Sequence, residues 1–259
     1  MGVLNITPDS FSDGGDFFVP DAAVNRALQM QADGAAIIDI GGESTRPGAD
    51  PVSVDEEIGR VVPVIERLAT RLRVPISIDT RKPAVMLAAV EAGAGLINDI
   101  NALREDGALE VAAECSVPVC LMHMQGEPQS MQAAPQYDDV VEEVREFLHE
   151  RVRACQAAGI RREKLLLDPG FGFGKTVEHN LQLLARLDAF SRMGLPVLVG
   201  LSRKSMIGKL LELEVGERLP ASIALAVLAV ERGAVLVRTH DVAATWQALQ
   251  MNVALRAVH

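Results

Sequence analysis

The chain has 259 residues, 49% apolar and 23% charged, with a formal net charge of −10. That balance excludes a disordered chain, its acidic sign argues against general nucleic-acid binding, and no apolar run approaches the ~18 residues of a membrane span. Cys115, Cys120 and Cys155, without C-x-x-C spacing, imply reduced thiols and a cytoplasmic home, and the opening MGVLNITPDS lacks the basic and apolar regions of a secretory signal.

Along the chain a short apolar or β-branched run ends in a polar residue, a loop follows, and then an amphipathic stretch. The runs are 3–7 (VLNIT), 36–40 (AIIDI), 76–80 (ISIDT), 96–100 (LINDI), 119–123 (VCLMH), 165–169 (LLLDP), 197–202 (VLVGLS) and 235–240 (VLVRTH). Apolar runs without alternation are the mark of strands buried on both faces. Helices are predicted over 21–33, 53–73, 137–158 and 221–232, the second opening on Ser53, Asp55 and Glu56 as a capped N-terminus does. The 221–232 stretch is almost wholly apolar and is expected to pack tightly on the sheet. Gly34, Gly93, Gly159 and Gly233 each close a helix ahead of a strand. Such alternation forces parallel pairing through right-handed crossovers. Eight units closing on themselves make a single-domain (β/α)8 TIM barrel over 1–259. A doubly wound sheet is the alternative, but its glycine fingerprint is missing after the first run.

Each run ends in a polar side chain: Asn5, Asp39, Asp79, Asn98 with Asp99, His123, Asp168, Ser202, and Arg238 with His240. An Asp after one strand is most often a turn former or cap. Eight polar ends meeting at the mouth of one barrel are where such enzymes keep their sites. Asp39, Asp79 and Asp168 have apolar surroundings, and a buried carboxylate needs a partner such as a ligand rich in N–H donors. Arg46, Arg203, Lys204, Arg238 and His240 form a candidate anion site at the same face, with Ser202 placed to cap a helix beginning at Arg203.

Two glycine-rich loops, 7–17 and 41–51, follow the first two runs and are candidate lids. The segment 168–176 (DPGFGFGKT) imitates a phosphate loop, but Pro169 stands where the first glycine is required. Its glycines are expected to let backbone approach a flat ligand, lined by Phe171 or Phe173. There is no nucleophile elbow, no H-E-x-x-H and no clustered His/Cys set. A hard cation such as Mg²⁺, held by phosphate and one protein oxygen, stays compatible.

NITPDSFSDGG, GGESTRPG, SIDT, INDI, CLMHMQG, LLLDPGFGFGK, LSRKS and RTHDV, in this order and spacing, resemble the dihydropteroate synthase family over nearly the whole chain. The resemblance implies a (β/α)8 barrel, a homodimer and a sulfonamide target. The reaction it implies joins 6-hydroxymethyl-7,8-dihydropterin pyrophosphate to p-aminobenzoate and releases pyrophosphate. Family members carry a short segment ahead of the first strand. This chain begins at that strand, so the expected cost falls on stability and the start site, not on chemistry.

By the same resemblance, Asp79, Asn98, Asp168, Lys204, Met122 and Phe173 would hold the pterin. Asn5, Arg46, Arg238 and His240 would hold the pyrophosphate, with Asn5 also beside Mg²⁺. Phe11, Thr45, Pro47, Phe173 and Ser205 would form the p-aminobenzoate site, while Asp13 and Arg46 would close over the transition state. Asp13, Arg46, Lys204, Arg238 and His240 are thus the catalytic set. The expectation is that Asp79 and Asp168 are ionised, that Arg238 and His240 neutralise the leaving group, and that both loops order only with pyrophosphate and Mg²⁺ bound. An aromatic amine is nucleophilic without a base, so catalysis would rest on positioning and electrostatics. Two rivals remain at this stage, a corrinoid-dependent methyl-transferring barrel and a non-catalytic pterin-binding module.

Overall fold

The structure is a computed structural model that describes residues 1–6, 19–44, 50–127 and 130–258, with only the backbone of Val19. Its strands are β1 Gly2–Asn5, β2 Ile38–Gly41, β3 Ile76–Asp79, β4 Leu96–Asp99, β5 Val119–Met122, β6 Leu165–Asp168, β7 Leu198–Val199 and β8 Leu236–Val237. The helices are α1 Val19–Ala32, α2 Val54–Ala69, α3 Pro83–Glu91, α4 Ala108–Cys115, α5 Val140–Ala157, α6 Val177–Ala185, α7 Asp188–Ser191, α8 Ser205–Leu211, α9 Leu219–Glu231 and α10 Val242–Arg256.

Strands β1 to β6 pair in sequence order, all parallel, and β7 pairs with β8. Parallel bridges at Leu167–Val197 and Gly2–Thr239 join the two sheets at both edges. The second closure is made by Val3 N–H to Thr239 O at 3.1 Å and Thr239 N–H to Met1 O at 3.0 Å. The ring is therefore the expected (β/α)8 barrel, and the solved structures compared below share it.

Side-chain alternation along each strand sorts the core into two layers. Outward residues such as Ile38, Ile40, Ile78, Ile97, Leu121 and Leu167 pack under the helices. Inward residues Leu96, Cys120, Leu166 and Leu198, with Met1, Ile37 and Leu236, fill the lower barrel. Two residues further along β2, β4, β6 and β8 the inward position turns polar, at Asp39, Asn98, Asp168 and Arg238, so the site lies directly on an apolar floor. Among the described residues no helix is long and apolar enough to cross a membrane.

The helix ends follow local chemistry. Ser53 Oγ accepts from Glu56 N–H at 3.2 Å, as its sequence context predicts. The helix expected from Tyr137 starts at Val140, because Asp139 caps it through Val141 N–H and Glu142 N–H at 3.0 and 3.2 Å. Helix α9 packs on the barrel as expected, but through one face. It buries Ser222, Ala226 and Ala229 but leaves Leu228 42% exposed, so only one side of this apolar helix packs on the barrel.

Candidate active site

Strand ends β2, β3, β4, β6 and β8 build the floor of the mouth. Arg238 donates from Nε to Asp39 Oδ2 and from Nη2 to Asp79 Oδ2, both at 2.6 Å. Asn98 Nδ2 donates to the same Asp39 oxygen at 3.2 Å. Asp39 is fully buried, and the Asp79 side chain is 10% exposed. The second oxygens of both, Asp39 Oδ1 and Asp79 Oδ1, are buried with no hydrogen-bond partner among the described residues. Arg238 Nη1 makes no hydrogen bond to a described residue.

Two carboxylates sharing one guanidinium set the charge of this floor. Burial raises the Asp79 pKa to about 7; Arg238 pulls it down, while Asp39, Glu57 and Asp99 push it up. Asp79 therefore holds a proton far more readily than an ordinary carboxylate in the empty protein. Burial works against the Arg238 guanidinium, yet Asp39 and Asp79 hold its pKa above the ordinary arginine value. Asp168 Oδ1 accepts from Gly170 N–H at 2.7 Å; burial raises its pKa to about 6, opposed by that bond and by Lys204, Lys175 and Arg238. Of the two carboxylates it is the one that gives up its proton more readily.

Lys204 lies 4.3 Å from the centre of the Phe173 ring and makes no ion pair among the described residues. Burial lowers its pKa to about 8, with Asp168 holding it up. Met122 joins Ile100, Met124 and Met131, against which Phe173 packs, as an apolar wall. Asp79, Asn98, Asp168, Met122, Phe173, Lys204 and Arg238 are thus at or beside one mouth, as the strand-end reading requires.

The candidate anion site is thinner than its sequence implies. Arg203 is bound by both oxygens of Asp241, at 2.8 and 2.6 Å, and so is neutralised. Ser202 does not cap a helix; its Oγ meets the ring Nδ1 of His240 at 3.1 Å, and α8 begins only at Ser205, which is exposed. Burial, then Arg238, lowers the His240 pKa to about 4, against Asp241. His240 therefore enters as a neutral hydrogen-bonding ring, not as the cation expected of it. Asn5 is half-buried at the end of β1. Phe11, Asp13, Thr45, Arg46 and Pro47, with the whole of the first candidate lid loop and residues 45–49 of the second, lie outside the described residues.

Two strand-end residues have structural duties. Asp99 accepts from Asn101 N–H and Leu103 N–H, each at 2.7 Å, and so braces a turn in which Ala102 and Leu103 have φ of 54° and 56°. His123 lies outside the floor, edge-on to Phe147 of α5, with ring centres 4.8 Å apart. Asp39, expected from its apolar surroundings to need a partner, finds it in Arg238, a role the family resemblance did not give it, and Lys82 was not singled out by the sequence at all. The Lys82 ammonium bonds Glu43, Glu57 and the Val52 carbonyl, tying together residues on both sides of the second glycine-rich loop. Of the two phenylalanines in 168–176, Phe171 is buried in the outer core and Phe173 forms the wall.

Comparison with known proteins agrees with this geometry. Residues 1–240 match the model of a family described as pterin binding enzyme. A dihydropteroate synthase of Escherichia coli (strain K12) is 57% identical over 251 residues, covering 97% of this chain and 89% of that protein. A Yersinia pestis dihydropteroate synthase solved with a sulfonamide drug complex superposes with a TM-score of 0.95 at 53% identity, covering 99% of this chain and 94% of that one. A Xanthomonas albilineans dihydropteroate synthase solved in complex with 7,8-dihydropteroate gives a TM-score of 0.91 at 51% identity, covering 100% of this chain and 94% of that one.

Proposed function

This chain belongs to the pterin-binding enzymes, among the dihydropteroate synthases, and we propose that it condenses 6-hydroxymethyl-7,8-dihydropterin pyrophosphate with p-aminobenzoate to give 7,8-dihydropteroate and pyrophosphate. The observation that carries this reading is the polar layer of Asp79, Asn98 and Asp168 beside Lys204, seated on an apolar barrel floor. A pterin offers an amino-pyrimidine edge of N–H donors and ring acceptors. Carboxylates and an amide oxygen accept from such an edge, and an ammonium donates to its acceptors. Met122 and Phe173 would cover the flat faces of the ring.

In this reading Asn5, Arg46, Arg238 and His240 hold the pyrophosphate, Arg238 through its remaining Nη1 and His240 as a neutral ring. The pterin methylene carries positive charge as the carbon–oxygen bond to pyrophosphate breaks. The amine of p-aminobenzoate then attacks this carbon and loses a proton to solvent. Phe11, Thr45, Pro47, Phe173 and Ser205 would seat the p-aminobenzoate or a sulfonamide in its place, with Asp13 and Arg46 over the reacting carbon.

Among the described residues there is no group of three or more His, Cys, Asp or Glu able to hold a metal ion. The chain fits Mg²⁺ only in company with the substrate: the Asn5 amide would supply one oxygen, and phosphate oxygens and water the rest. When bound there, the ion would stabilise the departing pyrophosphate.

Homodimer formation is part of the proposal, supported by the apolar surface that α9 and α10 leave exposed at Leu228, Trp246, Met251 and Leu255. A cytoplasmic home is supported by the free thiols of Cys115, Cys120 and Cys155. The test is pyrophosphate release from the pterin substrate with and without p-aminobenzoate and Mg²⁺, with dihydropteroate followed by chromatography. Formation of dihydropteroate only when all are present is expected. No dihydropteroate under any condition overturns the proposal.

A further inference from the structure

The loop between β6 and α6 is tied at almost every peptide group. Gly172 N–H donates to Asn180 Oδ1 at 2.7 Å, and the Gly172 carbonyl accepts from Gln132. Phe173 N–H donates to Gly170 O at 3.1 Å, and Tyr137 Oη donates to Gly174 O at 2.8 Å. At the centre of the loop is Lys175, 3% exposed. Its Nζ is 2.9 Å from each of three acceptors: Gly170 O, Phe173 O and His123 Nδ1. An ammonium has three N–H bonds, so each finds one acceptor. Burial lowers the Lys175 pKa to about 7, with Asp168 holding it up; while it is an ammonium, the His123 Nδ1 that accepts from it is unprotonated and the ring proton sits on Nε2.

The backbone is shaped for this contact. Gly170 and Gly174 have φ of 71° and 61°, and a Cβ would lie 1.8 Å from His123 O at Gly170 and 2.4 Å from Gln125 O at Gly174. These two glycines therefore serve the approach of the β6 loop to the β5 loop, not the approach of a ligand. Gly172 alone faces the mouth, where a Cβ would lie 3.1 Å from Lys204 Cδ. The Lys175 ammonium thus gathers loop carbonyls on one side, while the other side carries the Phe173 ring and backs the Lys204 stem.

We infer that Lys175 is a positioning residue for the pterin wall: its buried ammonium templates residues 170–174, and that loop sets Phe173 and Lys204 against the ring. This rests on the pterin reading of the site, but the loop itself can be tested without a pterin. In Lys175→Met the stem is kept and the donors are lost. Hydrogen exchange should show at least tenfold faster exchange at the Gly172 and Phe173 amides, with the strands unchanged. Titration calorimetry should show pterin bound at least tenfold more weakly and inorganic pyrophosphate within twofold of wild type. A merely structural role would weaken both ligands together or neither. Unchanged exchange at 172–173 overturns the templating. Changed exchange with unchanged pterin affinity overturns the positioning role. If the wild type binds no pterin, the proposed function falls, and the exchange result still decides the templating. Should Lys175→Met not fold, Tyr137→Phe removes a neighbouring tether of the same loop. It should speed exchange at 172–173 and weaken pterin twofold or more; no change in either would overturn the inference.

Discussion

Replacing Arg238 by Met would strip two buried carboxylates of their shared cation. Asp39 would keep only the Asn98 bond at 3.2 Å, and Asp79 would lose its one partner on Oδ2. Removing one partner of a buried pair costs about 3–5 kcal/mol when the remaining charge cannot neutralise itself. Here it can. With Arg238 present, Asp79 already titrates at about 7, and Arg238 is the group pulling that value down. Without it the folded protein would hold a proton to higher pH, each unit being worth about 1.4 kcal/mol. The sign follows from linkage: the folded variant keeps protons that the unfolded chain has released above about pH 4, so its stability falls as pH rises. The wild type, whose Asp79 is ionised and paired above about pH 8, stops losing stability there. The gap between the two should widen from about 1–2 kcal/mol at pH 5.5 to about 3–5 kcal/mol at pH 8.5. Urea unfolding followed by circular dichroism at the two pH values measures it. Adding Asp39→Asn to the variant should recover stability at pH 8.5, whereas Asp39→Asn alone should lose it. A gap that is the same at both pH values, or a double variant no better than the single one, would refute the charge argument.

Other outcomes follow from the same geometry. Asp168→Asn keeps a carbonyl for Gly170 N–H but mismatches one ligand donor, so calorimetry should show pterin affinity reduced by about 1–3 kcal/mol. Pterin affinity should rise with pH as Asp168 and Asp79 ionise near 6 and 7, then fall as Lys204 loses its proton near 8, giving a maximum between about 7 and 8. A flat profile from pH 5 to 9 would exclude these groups as the ligand's partners. Lys82→Met strands Glu57, 1% exposed, beside Glu43 and should lower stability by about 3 kcal/mol in thermal unfolding. On the proposed order of binding, p-aminobenzoate should bind about 5–150-fold more tightly once the pterin pyrophosphate is in place. Equal affinity for the empty protein would contradict that order.

The barrel was legible because strands covered on both faces read as unbroken apolar runs, and all eight runs became strands. The mouth was legible because a polar residue closing such a run has few places to go. Period-two alternation would have sharpened it further. Asn98 and Asp99 are neighbours, so they lie on opposite faces, and only Asn98 shares the inward parity of Leu96. What could not be read was partnership. Nothing in the sequence says that Arg238 pairs with Asp39, 199 positions away, or that Asp241 cancels Arg203. Lys175 carried no recognisable motif beyond a failed phosphate loop, because its partners are mostly backbone carbonyls that sequence does not display. The same limit applies to α9, whose apolar composition reads alike whether its outer side meets the barrel or solvent.

These pairings change how the anion half of the site must work. Asp39, Asp79 and Asp168 face Arg238 and Lys204, while Arg203 is cancelled by Asp241 and His240 is neutral near pH 7. With all three carboxylates ionised these five groups sum to −1, and a proton on Asp79 or Asp168, or the buried Lys175 ammonium that faces Asp168, brings the sum to zero. A pyrophosphate entering here therefore meets little excess positive charge from these groups. Arg238 offers it one nitrogen without a hydrogen bond to a described residue, but most of that guanidinium's field is spent on its own carboxylates. Stabilising a departing pyrophosphate therefore needs positive charge from elsewhere, and Arg46 of the second loop and a divalent cation brought with the substrate are the two sources the proposed chemistry supplies. The arrangement suits a reaction that must hold a neutral, donor-rich pterin before and after an anion leaves. On the proposed function, the carboxylates would bind the part that stays, and a divalent cation that binds the leaving part could depart with it.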